Sequence, residues 1–171
     1  MSPVHRLTPL PVGPPRGRLV ITHSVLGATQ ALLASSLSDL PHESLVWWLG
    51  RRIENDTVVL SVTQPEAQST SQSVMVGEVE AGLTSRRARD YGLGIVAQVH
   101  THPGTDTHHS DGDDGLIFMP FEGMFSLVVS EYGRGRLNSA DEFSTHQYQD
   151  GRWVLLDQDF ALTVVPVQIS Q

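Results

Sequence analysis

Apolar residues recur at helical spacing at Val25, Ala28, Leu32, Leu33, Leu37 and Leu40, directly after a short apolar run at Leu19–Ile21. The pattern predicts a strand, then an amphipathic helix that opens with Ser24 as N-cap and stops before Pro41. Residues 43–51 (ESLVWWLGR) and 57–63 (TVVLSVT) are rich in β-branched and aromatic residues and flank the turn-prone Glu54-Asn55-Asp56, which predicts a hairpin. A polar loop over 64–73 follows. Val79 to Tyr91 reads as a second helix with a solvated face at Arg86, Arg87 and Arg89 and with Gly92 closing it. The apolar run at 95–99 (IVAQV) is a buried strand that delivers the chain into His100. Strands are expected at 125–129, 143–148, 153–156 and 161–165, with Asp150-Gly151 as a hairpin turn.

Helices and strands mix here without strict βαβ alternation, and the second half is rich in hairpins. The fold class is α+β: a mixed, mostly antiparallel sheet flanked by helices. At 171 residues the chain is expected to form one domain, 19–171, behind a Pro-rich segment, 1–18, which holds five of the ten prolines and reads as an extended or disordered tail.

Composition narrows the chemistry. Eleven Lys and Arg against nineteen Asp and Glu leave a net charge of −8, so there is no basic field for nucleic acid or anionic lipid. The uncharged stretch 19–38 contains eight polar residues, which argues against a membrane span, and nothing at the start resembles a signal peptide; a cytoplasmic location is expected. With no cysteine, a bound metal must be held by histidine and carboxylate.

Four of the eight histidines, His100, His102, His108 and His109, fall within ten residues. His100 and His102 end a strand, so period-two geometry puts them on one face, roughly 6.5–7 Å apart at Cα. In HTHPGTDTHHSDGDD the loop then returns a hydroxyl, Ser110, and a carboxylate, Asp113, towards the pair. Two imidazoles and a carboxylate are three ligands, which leave a tetrahedral zinc one open position for catalysis. Read blandly, Asp111, Asp113 and Asp114 are a polar turn with a helix cap. His108 and His109 read as solvated loop residues.

At these residues the chain resembles the JAMM, or MPN-plus, metalloprotease family, whose core is cytidine-deaminase-like. Its motif is an upstream Glu, then His-x-His, seven residues, Ser, two residues and Asp. His100, His102, Ser110 and Asp113 match it, and Pro103 is also familiar from the family. Glu54, Glu66, Glu78 and Glu80 also lie upstream, but Glu43, which opens a strand in PHESLVWWLGRR with Gly50 seven residues on, has the family's form. Asp111 and Asp114 flank the third ligand, and only Asp113 satisfies the spacing. Thr101 stands where Ser is frequent, and His109 where many members have Pro. The resemblance implies zinc held by His100, His102 and Asp113, Glu43 as general acid and base, and Ser110 as hydrogen-bond donor to the oxyanion.

It further implies an isopeptidase or peptidase that cuts after the C-terminal glycine of a ubiquitin-like protein. Small bacterial members of this kind stand beside ubiquitin-like conjugation systems, some of them antiviral, so the expected partners are a ubiquitin-like protein or its conjugates and the activating and conjugating enzymes of such a system. The rivals are a peptidase that processes a sulfur-carrier protein in cofactor or amino-acid biosynthesis and a non-catalytic MPN scaffold.

Overall fold

A computed structural model describes residues 6–35, 40–117, 119–138, 141–157 and 162–169. Its strands are β1 (Val12–Gly13), β2 (Leu19–Thr22), β3 (Leu45–Ile53), β4 (Asp56–Thr63), β5 (Gln68–Ser69), β6 (Val74–Met75), β7 (Gly94–Thr101), β8 (Phe125–Val129), β9 (Phe143–Gln149), β10 (Arg152–Leu156) and β11 (Thr163–Val165). The helices are α1 (His23–Ala34), α2 (Glu78–Asp90) and α3 (Asp111–Leu116). Nine strands form one sheet in the order β1-β10-β9-β8-β7-β3-β4-β2-β11, and β5 pairs with β6 apart from it. The sheet is mixed. β3 runs antiparallel to both β4 and β7, and β9 to both β8 and β10, whereas β7–β8, β2–β4, β2–β11 and β1–β10 are parallel.

The run LVWWL is apolar at every position because both faces of β3 are covered. Val46 and Trp48 join Leu19, Ile21, Val25 and Leu33 on the α1 face. Leu45, Trp47 and Leu49 join Val74, Ala81 and Ala88 on the α2 face. A strand buried on both sides loses the polar alternation of a half-exposed one. Trp48 is fully buried, and its indole N–H donates to Thr29 Oγ1, which in turn donates to the Val25 carbonyl. Gly50 follows where the β3–β4 register shifts past Leu60 of β4, and a Cβ there would stand 1.9 Å from the Val58 carbonyl oxygen.

Several boundaries shift. The first helix is capped by Thr22, not Ser24: Thr22 Oγ1 accepts from the Val25 amide. It ends at Ala34 with Ser35 as C-cap, whose amide still donates to the Ala31 carbonyl at 3.1 Å and whose hydroxyl donates to the Leu32 carbonyl. Of the expected extension, Leu37 lies outside the described residues, and Leu40 is exposed and non-helical. The expected loop 64–73 contains β5. The second helix matches within a residue, with Gly92 left-handed (φ 68°) just past its end, and the Asp150-Gly151 turn has positive φ at both residues, as a tight hairpin requires. Ala161 lies outside the described residues, and the last strand begins at Thr163.

The Pro-rich segment is extended where it is described, and it lies on the domain. β1 pairs with β10, the Leu155 amide donates to the Pro11 carbonyl, and Arg16 exchanges hydrogen bonds with the Gln147 side chain through its own backbone. Among the described residues no helix is long and apolar enough to cross a membrane.

Candidate metal centre

Register places the chemistry. Leu45 of β3 pairs with His100 of β7, the Thr101 amide donates to the Ser44 carbonyl at 3.0 Å, and the Ser44 amide donates to Thr101 Oγ1 at 2.9 Å. One step further along that ladder Glu43 stands across from His102, and alternation puts Glu43, His100 and His102 on one face. The Glu43 amide is held by the Thr70 carbonyl at 2.9 Å, so the β5–β6 hairpin fixes its approach.

Ser110 and Asp113 arrive from the other side as the first turn of α3. The Ser110 amide donates to Asp113 Oδ2 at 2.6 Å, and the Asp113 amide donates to Ser110 Oγ at 3.2 Å. This is a capping box with Asp in place of Glu or Gln. It leaves the Ser110 hydroxyl proton free to donate elsewhere. The bland reading of these residues as a helix cap is therefore also true: capping is how the loop aims Asp113.

Asp113 Oδ1 lies 3.4 Å from His100 Nε2, and Asp113 Oδ2 lies 3.1 Å from His102 Nε2. One ligand atom from each of the three residues falls within 4.8 Å of the other two, the separation expected of donors around one ion. His102 Nδ1 is 2.9 Å from the Asp106 carbonyl, to which it can only donate, so its lone pair is on Nε2, facing Asp113. Among the described residues, both ring nitrogens of His100 are buried without a hydrogen-bond partner. A buried imidazole left so costs stability, and a cation accepting its lone pair would remove that cost. The donor set, two imidazoles and a carboxylate, fits a divalent metal.

Electrostatics agree. Burial alone would raise the Asp113 carboxyl, but the facing ring nitrogens of His100 and His102 hold it well below the usual carboxylate range. Burial opposes protonation of His102, yet Asp113, the Asp106 carbonyl and Glu43 together raise its pKa. Glu43, 4% exposed, is pushed up to about 7 by burial, with the Asp113 charge adding to the shift and His102 opposing it. A carboxyl near 7 can both take and give a proton at neutral pH.

His108 is exposed, as expected. His109 is not: it is 1% exposed, and this corrects the reading of it as a solvated loop residue. It sits just before the N-cap of α3, and its Nδ1 lies 3.2 Å from Asp114 Oδ1, a polar counterpart of the apolar staple that often locks a helix start. Its Nε2 is 2.8 Å from Ser126 Oγ, and its ring stacks on His146 at 3.9 Å. Burial holds both rings well below the usual histidine range, so they are neutral. His146, Ser126 and Tyr132 carry no signal in the sequence. Tyr132 belongs to a tight turn, Glu131–Gly133, in which all three residues have positive φ. That strained backbone brings the Tyr132 amide to the His102 carbonyl at 2.7 Å and the Glu131 amide to the Gly104 carbonyl at 2.9 Å.

Known proteins share this arrangement of chain. The chain is 29% identical to the probable metalloprotease y4jG of Sinorhizobium fredii (strain NBRC 101917 / NGR234) over 103 residues, 58% of this chain and 63% of that protein, just under two thirds of its length. The solution structure of protein DSY2949 from Desulfitobacterium hafniense matches with a TM-score of 0.63 at 17% identity, covering 88% of this chain and 94% of that one. A solution structure from Salinibacter ruber (strain DSM 13855) matches with a TM-score of 0.59 at 16% identity, over 84% and 90% of the two chains. These two likenesses speak for the fold. A family model for prokaryotic homologs of the JAB domain matches residues 26–141, more than half of the chain, with Glu43, His100, His102, Ser110 and Asp113 inside the match, so the chain belongs to the prokaryotic branch of the JAB, or JAMM/MPN, family.

Proposed function

We propose that the protein is a zinc-dependent peptidase or isopeptidase that cuts after the C-terminal glycine of a ubiquitin-like protein. The observation that carries this reading is Glu43, a buried carboxyl titrating near 7 across the β3–β7 ladder from the donor set of His100, His102 and Asp113. The match to a probable metalloprotease supports the peptidase class. Zinc suits tetrahedral nitrogen and oxygen donors, and when bound it supplies Lewis acidity that polarises a carbonyl and lowers the pKa of water to about 7.

The chain's own residues do the rest. Glu43 takes the proton of the attacking water and returns it to the leaving amine, a two-way task for which a pKa near the working pH is suited. Ser110, whose hydroxyl proton is not used in the cap, donates to the developing oxyanion. His102 is held in one tautomer by the Asp106 carbonyl.

A groove is lined by Leu40, Pro41, Ala67, Ser69, Ser71, Tyr132 and His42, the residue before Glu43 in the chain. The Tyr132 hydroxyl donates to the Ser71 carbonyl at 3.1 Å, tying the β5–β6 hairpin to the turn after β8. A groove of this form suits an extended peptide, and glycine at the cut site lets a backbone approach the metal without a Cβ clash. The test is a zinc-loaded preparation offered fusions in which a ubiquitin-like protein ending in glycine precedes a reporter. Cleavage after the glycine, lost when it becomes bulky, is the expected result. Failure to cut any such fusion, whether the partner comes from a conjugation or a sulfur-transfer system, would overturn the reading and favour a scaffold.

A further inference from the structure

We propose that Arg6 is a positioning residue of the metal site, through which the N-terminal segment clamps the loop that carries Ser110 and Asp113. The inference deepens the peptidase reading and rests on it. Arg6 Nη2 is 2.6 Å from Asp114 Oδ2, and Nη1 donates to the carbonyls of His109 and Ser110 at 3.4 and 3.3 Å. The Leu7 amide adds a hydrogen bond to Asp111 Oδ2 at 3.0 Å. One guanidinium therefore holds residues on both sides of the Ser110–Asp113 cap, more than a hundred positions along the chain. Its side chain is only 20% exposed, so the bonds of the guanidinium are partly shielded from water.

Three facts make the clamp consequential. First, α3 is six residues long, too short to hold itself, so its geometry must come from tertiary contacts. Second, Asp111, Asp113 and Asp114 crowd three carboxylates into its first turn, and Arg6 is the cation set against them. Third, Asp114 spends its other oxygen on His109, whose far nitrogen meets Ser126 of β8, so the clamp continues inward from Arg6 to the sheet beside His100; the His100 and His109 ring centres are 5.7 Å apart. The anchor is also firm, because β1 ties the same segment to β10. A metal ligand delivered by a short capped turn is held to the accuracy of its supporting groups.

The test uses the full chain with zinc alone as probe, together with amide exchange of the metal-free protein. Arg6→Ala is expected to weaken zinc binding about tenfold or more, the range for groups that orient a ligand, and to speed exchange at residues 109–116 while β7 and β8 stay protected. Arg6→Lys, which keeps the charge but not the fork, should recover part of the loss. Arg16→Ala is the control: it cuts the ties of the same segment to Glu122 and Asp150, away from the loop, and should leave zinc affinity unchanged. In turnover, Arg6→Ala should lower kcat with little change in KM. Zinc affinity within about twofold of wild type in Arg6→Ala, or an equal loss in Arg16→Ala, would overturn the clamp. If the wild type itself takes up no zinc, the peptidase reading fails. Exchange then decides the clamp alone, and equal rates at 109–116 in wild type and Arg6→Ala overturn it.

Discussion

Ser110 and Asp113 cap one another, amide to carboxylate at 2.6 Å and amide to hydroxyl at 3.2 Å, so one local motif both starts α3 and points a carboxylate at two histidines. Ser110→Ala should therefore do two things at once. It should cost about 1 kcal/mol of stability as a lost cap, read by urea unfolding. It should also lower kcat by about 10²- to 10³-fold as a lost oxyanion donor, with zinc retained. Full activity in a merely destabilised variant would leave Ser110 with the structural role alone.

His100→Ala and His102→Ala should each release the metal, because two protein ligands hold zinc far less tightly than three. Elemental analysis after dialysis reads the outcome. Retention of one equivalent of zinc in both variants would exclude this donor set.

Glu43 carries a pH signature that needs no substrate. Its folded pKa, about 7, lies above its ordinary value of 4.5, so folding favours the protonated form. The stability it lends is complete below pH 4.5 and is lost as pH rises through 7. In metal-free protein, Glu43→Gln should gain stability relative to wild type between pH 5 and 8, by denaturant midpoint. With zinc it should bind normally and lose about 10²- to 10⁴-fold in turnover. A pH-independent gap between the two proteins would contradict the buried carboxyl.

His109 and His146 act in the opposite direction. Both are held neutral by burial, with pKa values well below the ordinary 6.5. The unfolded chain takes up protons as pH falls through 6.5, whereas the folded chain does not, so stability is lost on acidification. His146→Gln should flatten that loss between pH 7 and 5, although it costs stability at neutral pH through its hydrogen bonds to the His109 amide and the Ser126 carbonyl. An unchanged acid slope would argue that His146 is not buried neutral.

Gly50→Ala tests the sheet. The new methyl would stand 1.9 Å from the Val58 carbonyl, and that oxygen belongs to a backbone that cannot swing aside. The expected loss is about 1–3 kcal/mol, towards the upper end, seen as a lowered Tm. A neutral substitution would mean the β3–β4 bulge is softer than its packing implies.

Much of this was legible in the chain alone. The run LVWWL, the hairpin at Asp150-Gly151 and the strand entering His100 follow from local periodicity and turn chemistry, which act over a few residues. The spacing of His100, His102, Ser110 and Asp113 also encodes its own geometry, since strand alternation aligns the histidines and a capping box turns the carboxylate back. Glu43 could be picked out by its place at the head of a strand, but only the β3–β7 register, fixed 57 residues away by Ser44 and Thr101, sets it across from His102. What tertiary structure alone decided is burial. His109, polar and in a loop, lies inside because His146 and Ser126 approach from strands far along the chain, and Arg6 reaches α3 because β1 docks on β10. Whether a polar side chain meets water or a partner depends on elements distant in sequence, and no local pattern records them.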